Sequence, residues 1–242
     1  MTKSEILKYL LLRTIGNFLL LFALFGVAAT FGPALYFEVQ YQLIKLRGVQ
    51  YTVADVQVKE AKPQPSGFGQ LLNKPQEAQG PGFGAILTGK KEQVLVPKDT
   101  QFSIVIPKIG ATSQIAPNID PANEQAFLKV LQTSVAHAKG TVFPGMKGNI
   151  YLFAHSTDNF WDVGRYNAIF YLLKDLAPGD EIVVFFENRR HNYVVTESKI
   201  VDPTDVSYLV KGQESGQETL ILQTCWPPGT TWKRLLVFAK PK

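Results

Sequence analysis

The chain has 242 residues, with 25 Lys and Arg against 20 Asp and Glu, a formal charge of +5, 45% hydrophobic residues and a single cysteine. One cysteine excludes an intramolecular disulfide and a thiolate zinc cluster. The basic residues are dispersed rather than gathered into a stripe, so nucleic acid is not an expected partner.

In chain order, residues 1–13 carry Lys3, Lys8 and Arg13 against one acid, Glu5. Residues 14–37 are 24 consecutive positions without a charged side chain, and as a helix they would extend about 36 Å, enough to cross a bilayer. The apolar run continues past the small residues Ala28-Ala29-Thr30, so a retained transmembrane anchor is expected rather than a cleaved signal. The positive flank keeps the short N-terminus cytoplasmic and exports the long C-terminal part, which places the chain in the cell membrane as a single-pass protein. Residues 38–98 are read as an extracytoplasmic stalk or linker, since 63–69 and 79–84 are dense in Pro and Gly and carry no sustained periodicity.

From residue 99 to 242 the texture changes to short apolar runs bounded by turn formers. Stretches 102–106, 149–154, 181–186, 192–196, 218–223 and 234–239 read as strands. Helix-like spacing falls at 122–138, through Phe127, Val130, Leu131 and Val135, and at 168–176, through Ile169, Leu172, Leu173 and Leu176. Many short strands with few helices predict a mainly β domain, a barrel or a sandwich.

Two of these strands end in chemically useful residues. Cys225 closes the run Leu222-Gln223-Thr224-Cys225 just before the turn Trp226-Pro227-Pro228-Gly229. A thiol at a rigid strand end can be presented at the surface, and a nearby cation such as Arg234 favours its reactive thiolate. His155 closes Tyr151-Leu152-Phe153-Ala154-His155 in the same way. Each has a bland counterpart: a lone cysteine is often a small buried hydrophobe, and an arginine at a strand edge often only snorkels into water. His137, on the helix-like stretch, and His191, after Asn188-Arg189-Arg190, read as structural. Asp158 and Asp162 read as loop acids. Trp226 and Trp232 bracket the turn after Cys225 and either wall a substrate groove or pin the loop, while Thr224 sits where it could bond near a reacting carbonyl.

The ordered set of patterns resembles the sortase family of membrane-anchored cysteine transpeptidases. Ile104-Val105-Ile106-Pro107-Lys108-Ile109-Gly110 is similar to the family's first-strand signature. The stretch from Gly140-Thr141-Val142-Phe143-Pro144-Gly145 into Leu152-Phe153-Ala154-His155-Ser156 resembles the segment carrying its histidine. Phe170-Tyr171-Leu172-Leu173-Lys174-Asp175-Leu176-Ala177-Pro178-Gly179-Asp180-Glu181-Ile182 is similar to the family's next pattern, F-x-x-L-x-x-L-x-x-G-D-x-I. The T-L-x-T-C signature is matched by Leu222, Thr224 and Cys225, with Ile221 in place of the first threonine, and Lys233-Arg234-Leu235-Leu236-Val237-Phe238 resembles the strand with the family's arginine.

The resemblance implies a sortase-type closed β-barrel with a few short helices, preceded by one transmembrane helix. It implies catalysis by His155, Cys225 and Arg234 and substrate contacts at Thr224, Trp226 and Trp232; no cofactor and no metal-ligating residue is assigned, and calcium dependence, seen in some relatives, is left open by acids as scattered as Asp120 and Glu124. Partners would be surface proteins bearing a C-terminal sorting signal and an amine acceptor on a wall precursor or a pilin. The segment before Phe102 lacks the Asp-Pro-aromatic lid of some pilus-type sortases, and Asp120-Pro121-Ala122 falls inside the core, so a general anchoring role is expected. The competing reading is a non-catalytic, membrane-tethered β-domain that scaffolds or binds a surface partner. An L,D-transpeptidase would need S-H-G-C where this chain has Gln223-Thr224-Cys225, and a papain-like enzyme would need the cysteine before the histidine.

Overall fold

In the computed structural model, residues 3–54, 92–156, 168–209, 216–228 and 230–242 are described. Asp158 and Asp162 lie outside them. The chain opens with helix α1, Lys3–Leu46, 44 residues and about 66 Å long at 1.5 Å per residue. Its first part, Lys3–Ala28, is long and apolar enough to cross a membrane and has none of its length buried against the rest of the molecule. Gly48, at φ 64°, ends the helix. Its N–H donates to the Lys45 carbonyl at 3.0 Å and that of Val49 to the Ile44 carbonyl at 3.2 Å, the paired closure that needs a left-handed residue just past the last turn.

The C-terminal end of α1 is bound to the globular part. Tyr41 is buried within the main hydrophobic core, and Glu38 Oε2 meets Lys174 Nζ at 2.9 Å, with Asp175 Oδ2 on the other side of the same ammonium at 3.0 Å. Strand β1, Gln50–Val53, then pairs in parallel with β2, Glu92–Leu95. Val53 and Leu95 pack over Val105, Val183 and Phe185. Within the 38–98 stretch read as a linker, therefore, residues 38–54 and 92–95 carry elements that pack on the barrel or on each other. Tyr51 lies against Gly110, where an added Cβ would stand 3.0 Å from the ring; that close approach, at φ 64°, is met by glycine alone.

The remaining strands close a barrel in the order β10-β8-β7-β3-β4-β5-β6-β9. They are β3 (Phe102–Ile106), β4 (Ala111–Ile119), β5 (Val135–Ala138), β6 (Gly148–Phe153), β7 (Glu181–Phe186), β8 (Arg189–Val201), β9 (Glu218–Trp226) and β10 (Lys233–Pro241). β3 and β7 are buried on both faces, by the barrel interior and by the β1–β2 layer, which explains why both read as unbroken apolar runs. Glu187 and Asn188, at φ 47° and 61°, form the two-residue turn that joins β7 to β8.

Two sequence expectations change. The helix-like stretch 122–138 divides into helix α2, Glu124–Leu131, capped by the Asn123 side chain, which accepts from the Ala126 N–H, and the buried strand β5. Ser134 turns its hydroxyl back on the Val130 carbonyl at 3.0 Å where the helix stops. The 168–176 stretch is a 3-10 helix, Ala168–Asp175, whose Phe170 and Leu173 enter the main core. Strand β4 had no counterpart among the strands expected from the sequence; its pairing with β5 shifts register between Ala116 and Ile119, around Pro117 and the left-handed Asn118, which masks any alternation.

Candidate active site

Three strands build the site. β6 and β9 run parallel, with Leu152 opposite Leu222 and Phe153 opposite Gln223, while β9 and β10 run antiparallel, with Cys225 opposite Arg234. The β6–β9 ladder continues one step past the strand, because the Ala154 N–H donates to the Gln223 carbonyl at 3.2 Å. Carried one residue further, the same register sets His155 beside Cys225. The three candidates thus form one row, His155, Cys225, Arg234, with the thiol in the middle and neighbouring strands about 4.8 Å apart.

Directly opposed residues share a face, and two further rows lie beneath this one. The next is Phe153, Gln223 and Leu236; the one after is Tyr151, Ile221 and Phe238. This is the outer face of the barrel, since groups from outside the barrel strands cover it. Phe127 of α2 meets Phe153 edge-on at 6.0 Å, and Tyr208, on the segment between β8 and β9, contacts Tyr151 at 6.1 Å and Phe238 at 6.2 Å. The opposite face, with Leu220, Leu222, Leu235 and Val237, fills the interior.

Cys225 is half-buried. His155 is half-buried too, and loss of water around the ring pushes its pKa below the ordinary histidine value, so the neutral imidazole is favoured in the free protein. Arg234 Nη1 donates to the Thr231 carbonyl at 3.0 Å and the Lys233 carbonyl at 3.1 Å, which fixes the guanidinium against the turn that brings β10 back beside β9. Its charge also reaches the Tyr151 and Tyr208 phenols.

Thr224 does not join this row. It faces the interior, buried, and its hydroxyl donates to the Ala154 carbonyl at 3.1 Å. Strand alternation requires this: the residue before an outward cysteine points inward. Thr224 therefore holds the residue that precedes His155. Trp226 packs against the core, whereas Trp232 is 73% exposed at the far end of the turn. His137 is fully buried: Nδ1 accepts from the Asn118 N–H at 3.3 Å and Nε2 lies 3.0 Å from the Val142 carbonyl. His191 lies on β8 against Gly145, away from the row. Among the described residues, no group of three His, Cys, Asp or Glu side chains converges as a metal site would require.

The family model for the sortase domain matches residues 104–242, more than half of the chain. The chain belongs to the sortase family. Membership supports a transpeptidase role, and the barrel is the part of the chain that the family model covers. Among solved structures, this sortase is similar to a Clostridium perfringens sortase D5 transpeptidase, at 28% identity over 60% of this chain and 79% of that one, TM-score 0.47. It is also similar to sortase C1 from Streptococcus agalactiae, at 29% identity over 58% and 66%, TM-score 0.47, and to sortase C-1 from Actinomyces oris, at 26% over 60% and 76%, TM-score 0.47. A comparison with curated protein sequences gives no match. Sequence reasoning missed Tyr151, Gln223 and Tyr208; the first two lie four residues before His155 and two before Cys225, on the same alternating face, a signal the sequence did contain.

Proposed function

We propose that this sortase is a cysteine transpeptidase that cuts a C-terminal sorting motif of surface proteins and passes the acyl group to an amine, with Cys225, His155 and Arg234 as its catalytic residues. The observation that supports this is the single row at the ends of β6 and β9 and the start of β10, with Cys225 between His155 and Arg234, an order suited to a nucleophile flanked by a proton carrier and a fixed cation. The Cys225 thiolate adds to the scissile carbonyl, and negative charge develops on the carbonyl oxygen, where Arg234 stabilises it. As the C–N bond breaks, protonated His155 gives its proton to the departing amine, leaving a thioester on Sγ. An incoming amine then adds to the thioester carbonyl and gives a proton to His155, and Cys225 departs as thiolate. Burial makes the His155 imidazolium a stronger acid than an ordinary one, which suits donation to an amine; the adjacent thiolate favours its formation.

The apolar part of α1 is the anchor, with the basic N-terminus cytoplasmic and the barrel outside. Residues 1–13, 14–37, 38–98 and 99–242 serve as cytoplasmic end, membrane span, connecting region and catalytic domain. The test is incubation of the full chain in detergent micelles with a panel of peptides carrying C-terminal sorting motifs and an amine acceptor, with products read by mass spectrometry. A peptide adduct on Cys225 is expected. It should be absent from Cys225→Ala, while Arg234→Ala should lose about 100-fold or more in kcat, the usual loss for one oxyanion-stabilising group. Full transpeptidation by Cys225→Ala would refute the mechanism, and silence of the wild type on every peptide would favour the non-catalytic scaffold.

A further inference from the structure

The strand directions place the docked end of α1 and the Cys225 row at one end of the barrel. β9 runs antiparallel to β10, β10 to β8 and β8 to β7, so β7 starts at the end where β9 finishes, and β3, antiparallel to β7, finishes there too. Lys174 and Asp175 close the 3-10 helix shortly before β7, and Lys108, in the connection from β3 to β4, meets Asp180 at 3.8 Å. Glu38 is held on Lys174, and the Tyr41 phenol is within reach of the Asp175 and Asp180 charges. The docked end of α1 therefore sits on the rim that also bears Cys225, three strand steps around the wall from β9, about 15 Å. Glu38 is also the first charged residue after Arg13, and α1 is unbroken from Lys3 to Leu46. Leu35, less than one turn before Glu38, is 63% exposed, so the helix leaves the barrel here instead of running along it. Tyr41 follows the uncharged run by four residues, about 6 Å of helix, so no spacer separates the span from the barrel. The same rim carries exposed apolar groups. Trp232, in the turn between β9 and β10, is 73% exposed, more than any other large apolar side chain among the described residues of the barrel, and Ile200, one residue before β8 finishes at this end, is exposed as well.

We infer that the barrel end bearing the Cys225 row rests on the surface of the bilayer, with Trp232 seated among the lipid headgroups as a second, peripheral contact beside α1. The two contacts lie on different parts of one rim, α1 against the start of β7 and Trp232 beyond the end of β9, and together they set the tilt of the barrel over the membrane. A tryptophan suits that layer, because its ring is apolar while its indole N–H still reaches water or a headgroup oxygen. The Cys225 row then opens at the level of the headgroups, and the reactants that reach it most readily are those tethered to the same bilayer. The inference rests on α1 being the membrane anchor of the proposed function and is independent of the chemistry at Cys225.

The test uses the full chain in lipid nanodiscs that contain a nickel-chelating headgroup lipid. In a Cys225→Ala background, a nitroxide is attached through Trp232→Cys, Lys108→Cys or Met146→Cys, one at a time. Positions 108 and 232 lie on the rim described above, whereas exposed Met146 precedes the start of β6 at the opposite end. The nine residues of β9 put the two ends about 20 Å apart once strand tilt is allowed for, so relaxation of the nitroxide by headgroup nickel should be about five-fold or more greater at 108 and 232 than at 146. In the chain with its native tryptophans, lipids brominated near the headgroup should quench a component of the fluorescence that is missing from Trp232→Phe. Relaxation at 232 no greater than at 146, in protein retained by the nanodisc, would overturn the inference and leave the anchor standing. Equal quenching of the wild type and Trp232→Phe would overturn the seat of Trp232. A chain that does not enter nanodiscs would remove the anchor and this inference together, whatever its activity on peptides.

Discussion

Replacing Thr224 by Val tests how the barrel interior holds the site. The substitution keeps the shape of the side chain and removes the hydroxyl that donates to the Ala154 carbonyl at 3.1 Å. Ala154 and Thr224 are both buried, so no water replaces the lost donor, and an unpaired buried carbonyl costs about 1–3 kcal/mol. The sortase domain spans residues 104–242; at about 2.1 cal/mol/K per residue its unfolding entropy is roughly 0.3 kcal/mol/K, so the midpoint should fall by about 3–10 °C. Release of Ala154 also frees the strand end that carries His155, and a displacement of order 1 Å there would lower kcat by up to about 100-fold. Alkylation of Cys225 by iodoacetamide should be unaffected, because the hydroxyl points away from that face. Thermal unfolding monitored by near-UV circular dichroism, together with peptide turnover, separates the possibilities. Thr224→Ser should recover both properties. A Thr224→Val protein with wild-type midpoint and raised KM alone would refute the interior role and restore a direct substrate contact.

The docked end of α1 should make the helix and barrel one thermodynamic unit: Glu38→Lys or Lys174→Glu alone should lower the midpoint of the full chain, and the double exchange should recover part of the loss. A double-mutant cycle is expected to give a coupling of about 0.5–1 kcal/mol for this partly exposed pair, and zero coupling would show that the contact does not hold. Stability should also fall on mild acidification. His137, His155 and His191 all have pKa values pushed below 6.5, chiefly by burial, so as pH drops through about 6.5 the unfolded chain takes up protons that the folded protein refuses. The contribution is complete above pH 6.5 and is lost progressively below it. A midpoint at pH 5.5 equal to or above that at pH 7.5 would contradict the burial of these rings.

Much of the barrel was legible because its strands are covered on both sides or alternate cleanly. The runs 102–106 and 181–186 coincide with β3 and β7, whose outer faces lie under Val53 and Leu95. β5 was not legible: its four residues come after a helix closely enough to continue its spacing, and only pairing with β4 and β6 makes them a strand. The docked end of α1 was hidden for a similar reason, since Tyr41 becomes a core residue only when this end docks, where Glu38 meets Lys174 of a 3-10 helix more than a hundred residues away.

The row itself is a product of strand direction. Because β6 and β9 are parallel, both leave the barrel at the same end, and a residue just past one strand lands beside the last residues of the other. Because β10 is antiparallel to β9, its first residues begin where β9 finishes. One end of the barrel therefore collects the exit of β6, the exit of β9 and the start of β10, so the pairing of β9 with both neighbours brings three residues that the sequence places at strand ends into line. The sequence identifies His155, Cys225 and Arg234 as strand-end residues. Their alignment depends on the parallel pairing of two strands 65 residues apart, from Phe153 to Glu218, and that is decided by how the whole barrel closes. Tyr208 is one step further from legibility, because it lies outside the strands and meets Tyr151 and Phe238 only once the barrel has closed.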